Sequence, residues 1–215
     1  MPDDLLELET PHGPARAHVR RAAGAAGALV LGHGAGGSIT AKDLTAVAAV
    51  AGATSLTVAL VEQPYRVAGR RSPAPARQLD AAWTAVLAQL RDGPLAGLPV
   101  VTGGRSSGAR VACRTAAETG AAGVLCLAFP LHPPQRKPDA ERKTRLPELE
   151  AVEVPVLVVQ GASDPFGVPP CAPGREVVVV SGNHSLTGDV AAVATAVAAW
   201  LPGVVRSAAH QAAGS

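Results

Sequence analysis

Pro99-Val-Val-Thr-Gly-Gly-Arg-Ser-Ser-Gly-Ala-Arg-Val-Ala112 is the stretch on which the fold turns. It reads as a short buried strand (Val100, Val101), a tight glycine turn, and the first turns of a helix (Ala109, Val111, Ala112). At its centre Gly104-Arg105-Ser106-Ser107-Gly108 forms a G-x-S-x-G. A serine on such a strand-to-helix turn is held in a strained backbone conformation that points its hydroxyl away from the sheet. The residues two before and two after it must be small because the chain folds back on itself, hence the glycines. The plainer reading is a Gly-Ser loop at a sheet edge. What favours the first is context: a strand before, a helix after, and suitable partners downstream.

Working outward, the chain alternates apolar strands with helical segments. Two short runs between Leu5 and Arg20, split by Thr10-Pro-His-Gly-Pro14, read as a hairpin. Gly27–Gly32 is a continuous apolar run of the buried parallel kind, and it opens into the loop His33-Gly-Ala-Gly-Gly-Ser38. Ser38 or Thr40 is expected to cap the next helix. Leu56–Val61 follows, then an Arg/Pro-rich stretch to Arg77, then Leu79, Trp83, Val86, Leu87 and Leu90 at helical spacing. Beyond the elbow lie strands at 123–128, 154–159 and 176–180. The final helix carries Leu186, Val190, Val193, Val197 and Leu201; Pro202 is expected to stop it, leaving 203–215 as a mobile tail behind one domain over 1–202. The expected architecture is α/β, a mostly parallel central sheet with helices on both faces and a minimal cap or none. In such sheets the chemistry gathers at the carboxyl ends of strands, where every unusual loop of this chain falls.

Composition narrows the function. Hydrophobic residues make up 47% of the 215 and charged ones 17%, which fits a packed chain and not a disordered one. Aromatics at 2% leave few platforms for stacking bases, and a net charge of +2 is too small to imply a polyanionic partner, so no nucleic acid is expected. No run of about 18 apolar residues is seen, so no membrane span is expected. The three cysteines, Cys113, Cys126 and Cys171, are odd in number and have no C-x-x-C spacing. They point to a reduced, cytoplasmic compartment. No cofactor is expected, and no His/Cys/Asp/Glu cluster has metal-ligand spacing.

A serine hydroxyl becomes a good nucleophile only when a base takes its proton and an acid orients that base. Asp164 and His184 each follow a late strand, and the order Ser106, Asp164, His184 suits that task. The plainer readings are a turn or N-cap aspartate and a turn histidine; Asp139 is the reserve acid, and His12, His18 and His210 are weaker bases. An oxyanion would need donors: the N–H of Ser107, and one from the His33–Gly37 loop, Ala35 before Gly34. His33 is read as shaping that loop. Arg105 and Arg66 could clamp a substrate anion, with His132 grouped beside them; otherwise Arg105 packs under neighbouring loops and Arg66 is a solvated charge.

Leu31-Gly-His-Gly-Ala-Gly-Gly37, the elbow, Gln160-Gly-Ala-Ser-Asp-Pro-Phe-Gly167 and Asn183-His-Ser-Leu186 together resemble an α/β-hydrolase. They are closest to a small lidless branch distantly similar to dienelactone hydrolases, which includes the testis-expressed and non-specific-lethal-complex-subunit proteins of animals. Gln63-Pro-Tyr-Arg66 and Phe129-Pro-Leu-His-Pro-Pro134 match it too. The resemblance implies Ser106 as nucleophile, Asp164 as acid, His184 as base and the His33–Gly37 loop as oxyanion donor. Dienelactone hydrolases carry cysteine where this chain has Ser106, and Asn183 stands where the branch leads one to expect an acidic residue. The expected function is hydrolysis of a small or medium ester-type substrate through an acyl-enzyme, with thioesterase or amidase chemistry not separable. The alternatives are a weakly catalytic or non-catalytic protein-interaction module on the same scaffold, and a phosphate-ligand module using the glycine loop. A protein partner is not indicated.

Overall fold

The computed structural model describes residues 3–134 and 143–213. The elements run β1 (Asp4–Leu8), β2 (Ala15–Arg20), β3 (Gly27–Gly32), α1 (Lys42–Ala53), β4 (Leu56–Glu62), α2 (Pro64–Val67), α3 (Ala76–Asp92), β5 (Val100–Arg105), α4 (Ser107–Thr115), β6 (Gly123–Leu127), α5 (Leu146–Glu150), β7 (Val156–Gly161), β8 (Arg175–Val180) and α6 (Val190–Ala213). One sheet holds all eight strands in the order β1-β2-β4-β3-β5-β6-β7-β8. The β1–β2 hairpin is antiparallel and joins β4 antiparallel; every pairing from β4 to β8 is parallel.

The period of two along each strand sorts residues onto two faces. Leu29 and Leu31 of β3 join Leu44 and Val47 of α1 and Val193, Val197 and Leu201 of α6 in one core. Ala28 and Val30 point the other way, against Leu79, Trp83, Val86 and Leu90 of α3. A third cluster packs Ala109, Ala112 and Cys113 of α4 and Leu149 of α5 on Val124, Cys126, Val156 and Val158. Cys113 and Cys126 are the small buried hydrophobes their positions suggest, free thiols with sulfurs 3.5 Å apart, whereas Cys171 is exposed. Because β4 lies on one side of β3 and β5 on the other, the chain reverses direction across the sheet at β3. The loops after β3 and β5 therefore open into one crevice.

Three local expectations need correcting. Neither Ser38 nor Thr40 caps α1: the cap position is Ala41, and the Ser38 hydroxyl instead closes its own turn by accepting the Thr40 N–H at 3.2 Å. Pro202 does not stop α6, and residues 203–213 are helical, not a loose tail. Proline leaves the Ala198 carbonyl without its helical donor, but Val204 and Val205 beyond it are buried in the α1–α6 core. Gly27 and Gly123 make room for them: a Cβ at either would stand 2.7 Å from Val205 Cγ1 or Val204 Cγ1. Read through the proline, the span Val190–Ala212 of α6 holds an 18-residue window of mean hydropathy 1.5, long and apolar enough to cross a membrane by length and composition. That amends the count made from the sequence; the valine and leucine face of this helix is packed on the sheet.

Candidate active site

The elbow forms as its glycines demand. Ser106 has φ 52° and ψ −106°, a conformation a non-glycine residue holds only at a cost of about 1–3 kcal/mol. Its N–H donates to the Leu127 carbonyl at 2.8 Å, which ties the turn to β6. A Cβ on Gly104 would run into the Gly32 carbonyl oxygen, and one on Gly108 would stand 2.5 Å from that same oxygen. With side chains at either position β3 could not approach the elbow.

The downstream residues arrive where the strand ends place them. His184 Nε2 lies 2.9 Å from Ser106 Oγ, and His184 Nδ1 lies 2.7 Å from Asp164 Oδ2. Since the carboxylate can only accept, Nδ1 carries the proton and Nε2 faces the serine as acceptor. The Asp164 carboxylate is wholly enclosed. Its Oδ1 accepts the Phe166 N–H at 2.9 Å, and its Oδ2 also accepts from Gln160 Nε2 at 2.8 Å. The Phe166 ring meets the His184 ring edge-on at 4.6 Å between centroids. Asn183 accepts the Ser185 N–H and hydroxyl at 3.0 and 2.7 Å and so closes the turn that presents His184. Ser106 is half-buried and His184 partly exposed, so both are open to solvent.

Beside the elbow, the His33–Gly37 loop is braced from below. His33 is buried; Gln63 donates its backbone N–H to His33 Nε2 at 3.1 Å, leaving Nδ1–H to donate to the Gly34 carbonyl at 2.8 Å. Burial pulls its imidazole below the ordinary value of 6.5, so it is a neutral brace. Tyr65 donates its hydroxyl to the Ala35 carbonyl at 2.7 Å, and burial pushes that phenol up to about 12. The N–H groups of Ser107, Gly34 and Ala35 have no acceptor among the described residues.

The three anion-clamp candidates fare differently. Arg105 is in the site, with Nε 3.0 Å from Asp43 Oδ2 and Nη2 donating to the His184 carbonyl at 3.0 Å. Asp43 is itself buried, which pushes its carboxyl up while Arg105 draws it back. Arg66 donates to the Arg70 carbonyl at 3.3 Å within its own turn. His132 donates its Nδ1–H to the Lys143 carbonyl at 2.9 Å and its backbone N–H to the Phe166 carbonyl, so it pins the loop after β6 to the Asp164 loop. Of the other histidines, His18 pairs with Glu62 at 3.2 Å and His210 bonds the Arg206 carbonyl. Asp139 lies outside the described residues.

Sequence reading passed over Gln160, Asp43 and Tyr65. Gln160 is the informative omission, since it is a fully buried polar residue at the end of the apolar run Val156–Val159. Its single Nε2 serves Phe129 O (3.1 Å), Gly167 O (2.9 Å) and Asp164, three acceptors for two hydrogens, while its Oε1 has no partner. Among the described residues no group of three or more His, Cys, Asp or Glu side chains could hold a metal ion.

A hydrogen-bonded serine, aspartate and histidine beyond the ends of β5, β7 and β8, beside free backbone N–H groups, can move a proton off the serine and receive an oxyanion. Comparison with known proteins agrees in kind. A family model described as the alpha/beta hydrolase domain matches residues 25–198. This chain is an α/β-hydrolase. Solved α/β-hydrolase structures share its fold at low identity. A serine hydrolase homologue from Coxiella burnetii superposes with a TM-score of 0.72 at 17% identity, over 93% of this chain and 97% of its own. A serine hydrolase without a lid from Xanthomonas campestris gives 0.70 at 19%, over 96% and 94%. A dienelactone hydrolase from Anabaena variabilis gives 0.71 at 18%, over 94% and 97%. No curated protein sequence matches the chain.

Proposed function

We propose that this α/β-hydrolase cleaves carboxylic esters through an acyl-enzyme on Ser106. The observation that carries the reading is the unbroken path from Ser106 Oγ through His184 to Asp164, at 2.9 and 2.7 Å. In this reading Ser106 Oγ attacks the ester carbonyl while His184 Nε2 takes its proton, and Asp164 stabilises the imidazolium that forms. The N–H groups of Ser107 and Ala35, with Gly34 as the alternative second donor, hold the oxyanion. Collapse of the tetrahedral intermediate expels the alcohol, which His184 protonates. A water activated by His184 then attacks the acyl carbon, and Ser106 regains its proton from His184. Est1E of Butyrivibrio proteoclasticus, another structural relative, has been seen with ferulic acid bound, at 12% identity and a TM-score of 0.71.

Labelling by a fluorophosphonate tests the reading. The probe should modify Ser106, as located by mass spectrometry, fail on Ser106→Ala and slow sharply on His184→Ala. Folded wild type that takes no label would sink the proposal and favour a scaffold without turnover. Esters, thioesters and anilides of one acyl group, assayed in parallel, then rank the leaving groups.

A further inference from the structure

The Arg105 guanidinium has three nitrogens, and contacts within the protein engage two of them. Nε faces Asp43 and is sealed from solvent; Nη2 donates to the carbonyl of His184. Nη1 has no acceptor among the described residues, and it is not sealed as Nε is. Its place is set by Gly34: a Cβ built there would stand 3.2 Å from Nη1 and 3.7 Å from the Ser106 Cβ. The free end of the cation therefore borders the same edge of the glycine loop as the serine.

Nearby charges leave that end positive. Asp43 lies behind the guanidinium at Nε. Glu62 is paired with His18, and the Asp164 carboxylate is enclosed by His184, Gln160 and Phe166. Arg66 adds a second positive charge, close enough to act on both His33 and Tyr65. A neutral acyl chain laid along Nη1 would strip water from a charged donor and offer nothing in return. A carboxylate would give it a charge-assisted bond.

We propose that the acyl group of the substrate carries its own carboxylate, a few atoms from the scissile carbonyl, and that Arg105 Nη1 holds it. This rests on the serine-hydrolase reading above and names the substrate class for the same site. Lysine could not replace arginine at full value, because one ammonium cannot serve Asp43, the His184 carbonyl and a ligand in three directions at once.

The test compares the p-nitrophenyl half-ester of adipic acid with p-nitrophenyl hexanoate, in which a methyl stands where the carboxylate was. Wild type should favour the half-ester by about tenfold or more in kcat/KM at low salt, a preference that shrinks at high salt. Arg105→Met alone would bury an unpaired Asp43, so it is paired with Asp43→Asn, and folding is checked by circular dichroism. In this double variant the ratio should fall to about one, and in Arg105→Lys to an intermediate value. Adipate itself should slow fluorophosphonate labelling of wild type and not of the double variant, a readout that needs no turnover. A wild-type ratio near one with Ser106 labelled overturns the carboxylate and leaves the hydrolase standing. So does an equal loss on both esters in the double variant, which would make Arg105 a brace or an aid to the oxyanion. Absence of labelling as well as turnover removes the hydrolase reading and this proposal together.

Discussion

Gln160 donates to Asp164 Oδ2 at 2.8 Å, the same oxygen that accepts the His184 N–H at 2.7 Å. The buried amide thereby helps fix which way the carboxylate faces the histidine. Gln160→Leu should lower kcat by about tenfold, with KM little changed, because the histidine is less well oriented. It should also destabilise the fold by about 1–3 kcal/mol, since the Phe129 and Gly167 carbonyls lose their donor. Steady-state kinetics with urea unfolding separates the two effects; a change in stability alone would mean that Gln160 does not reach the chemistry.

Ser106 sits at φ 52°, so its replacement tests stored backbone strain. Ser106→Ala and Ser106→Gly should both abolish labelling. Only the glycine variant escapes the strain, at a smaller entropic cost, so it should be the more stable by about 1 kcal/mol. Thermal melts of the two variants side by side read this directly, and equal melting points would count against a strained elbow.

His33 makes stability depend on pH. Burial holds its folded value below 6.5, so between the two values the unfolded chain binds more protons. Stability is then complete above about pH 6.5 and declines as pH falls toward the folded value. In His33→Gln that part of the acid-side slope should disappear. Urea midpoints between pH 5 and 8, a range chosen to bracket histidine titration, would show it.

Ending the chain at Pro202 removes Val204 and Val205 from the α1–α6 core. Each buried valine is worth about 1.5–3 kcal/mol, so the truncated chain should melt well below the full one. A mobile tail would have made this deletion silent.

What could be read from sequence was what local geometry dictates. Glycines at 104 and 108 announce a close approach whatever the partner, and Asp164 and His184 stand out because each lies in the short loop that follows an apolar run. Where the reading fails at Pro202 and Asp43, a distant partner decides the outcome. Pro202 reads as a stop until one sees that Val204 and Val205 have glycines waiting for them in β3 and β6. Ser38 and Thr40 both look like caps, but a local choice decides against them: the Ser38 hydroxyl accepts from the Thr40 N–H and hydroxyl. Asp43 looks like any acidic residue in a first helical turn, and only Arg105 gives it a reason to be buried.

That last pair bears on how such a site could be transplanted. Arg105 belongs to the elbow by sequence, but its counter-charge is on α1 and its hydrogen bond is to the loop of His184. Grafted alone into another framework, the fourteen residues from Pro99 to Ala112 would carry a cation whose partner stayed behind. In homologues, positions 43 and 105 should therefore change together or not at all, and the glycine motif would be the lesser part of what is inherited.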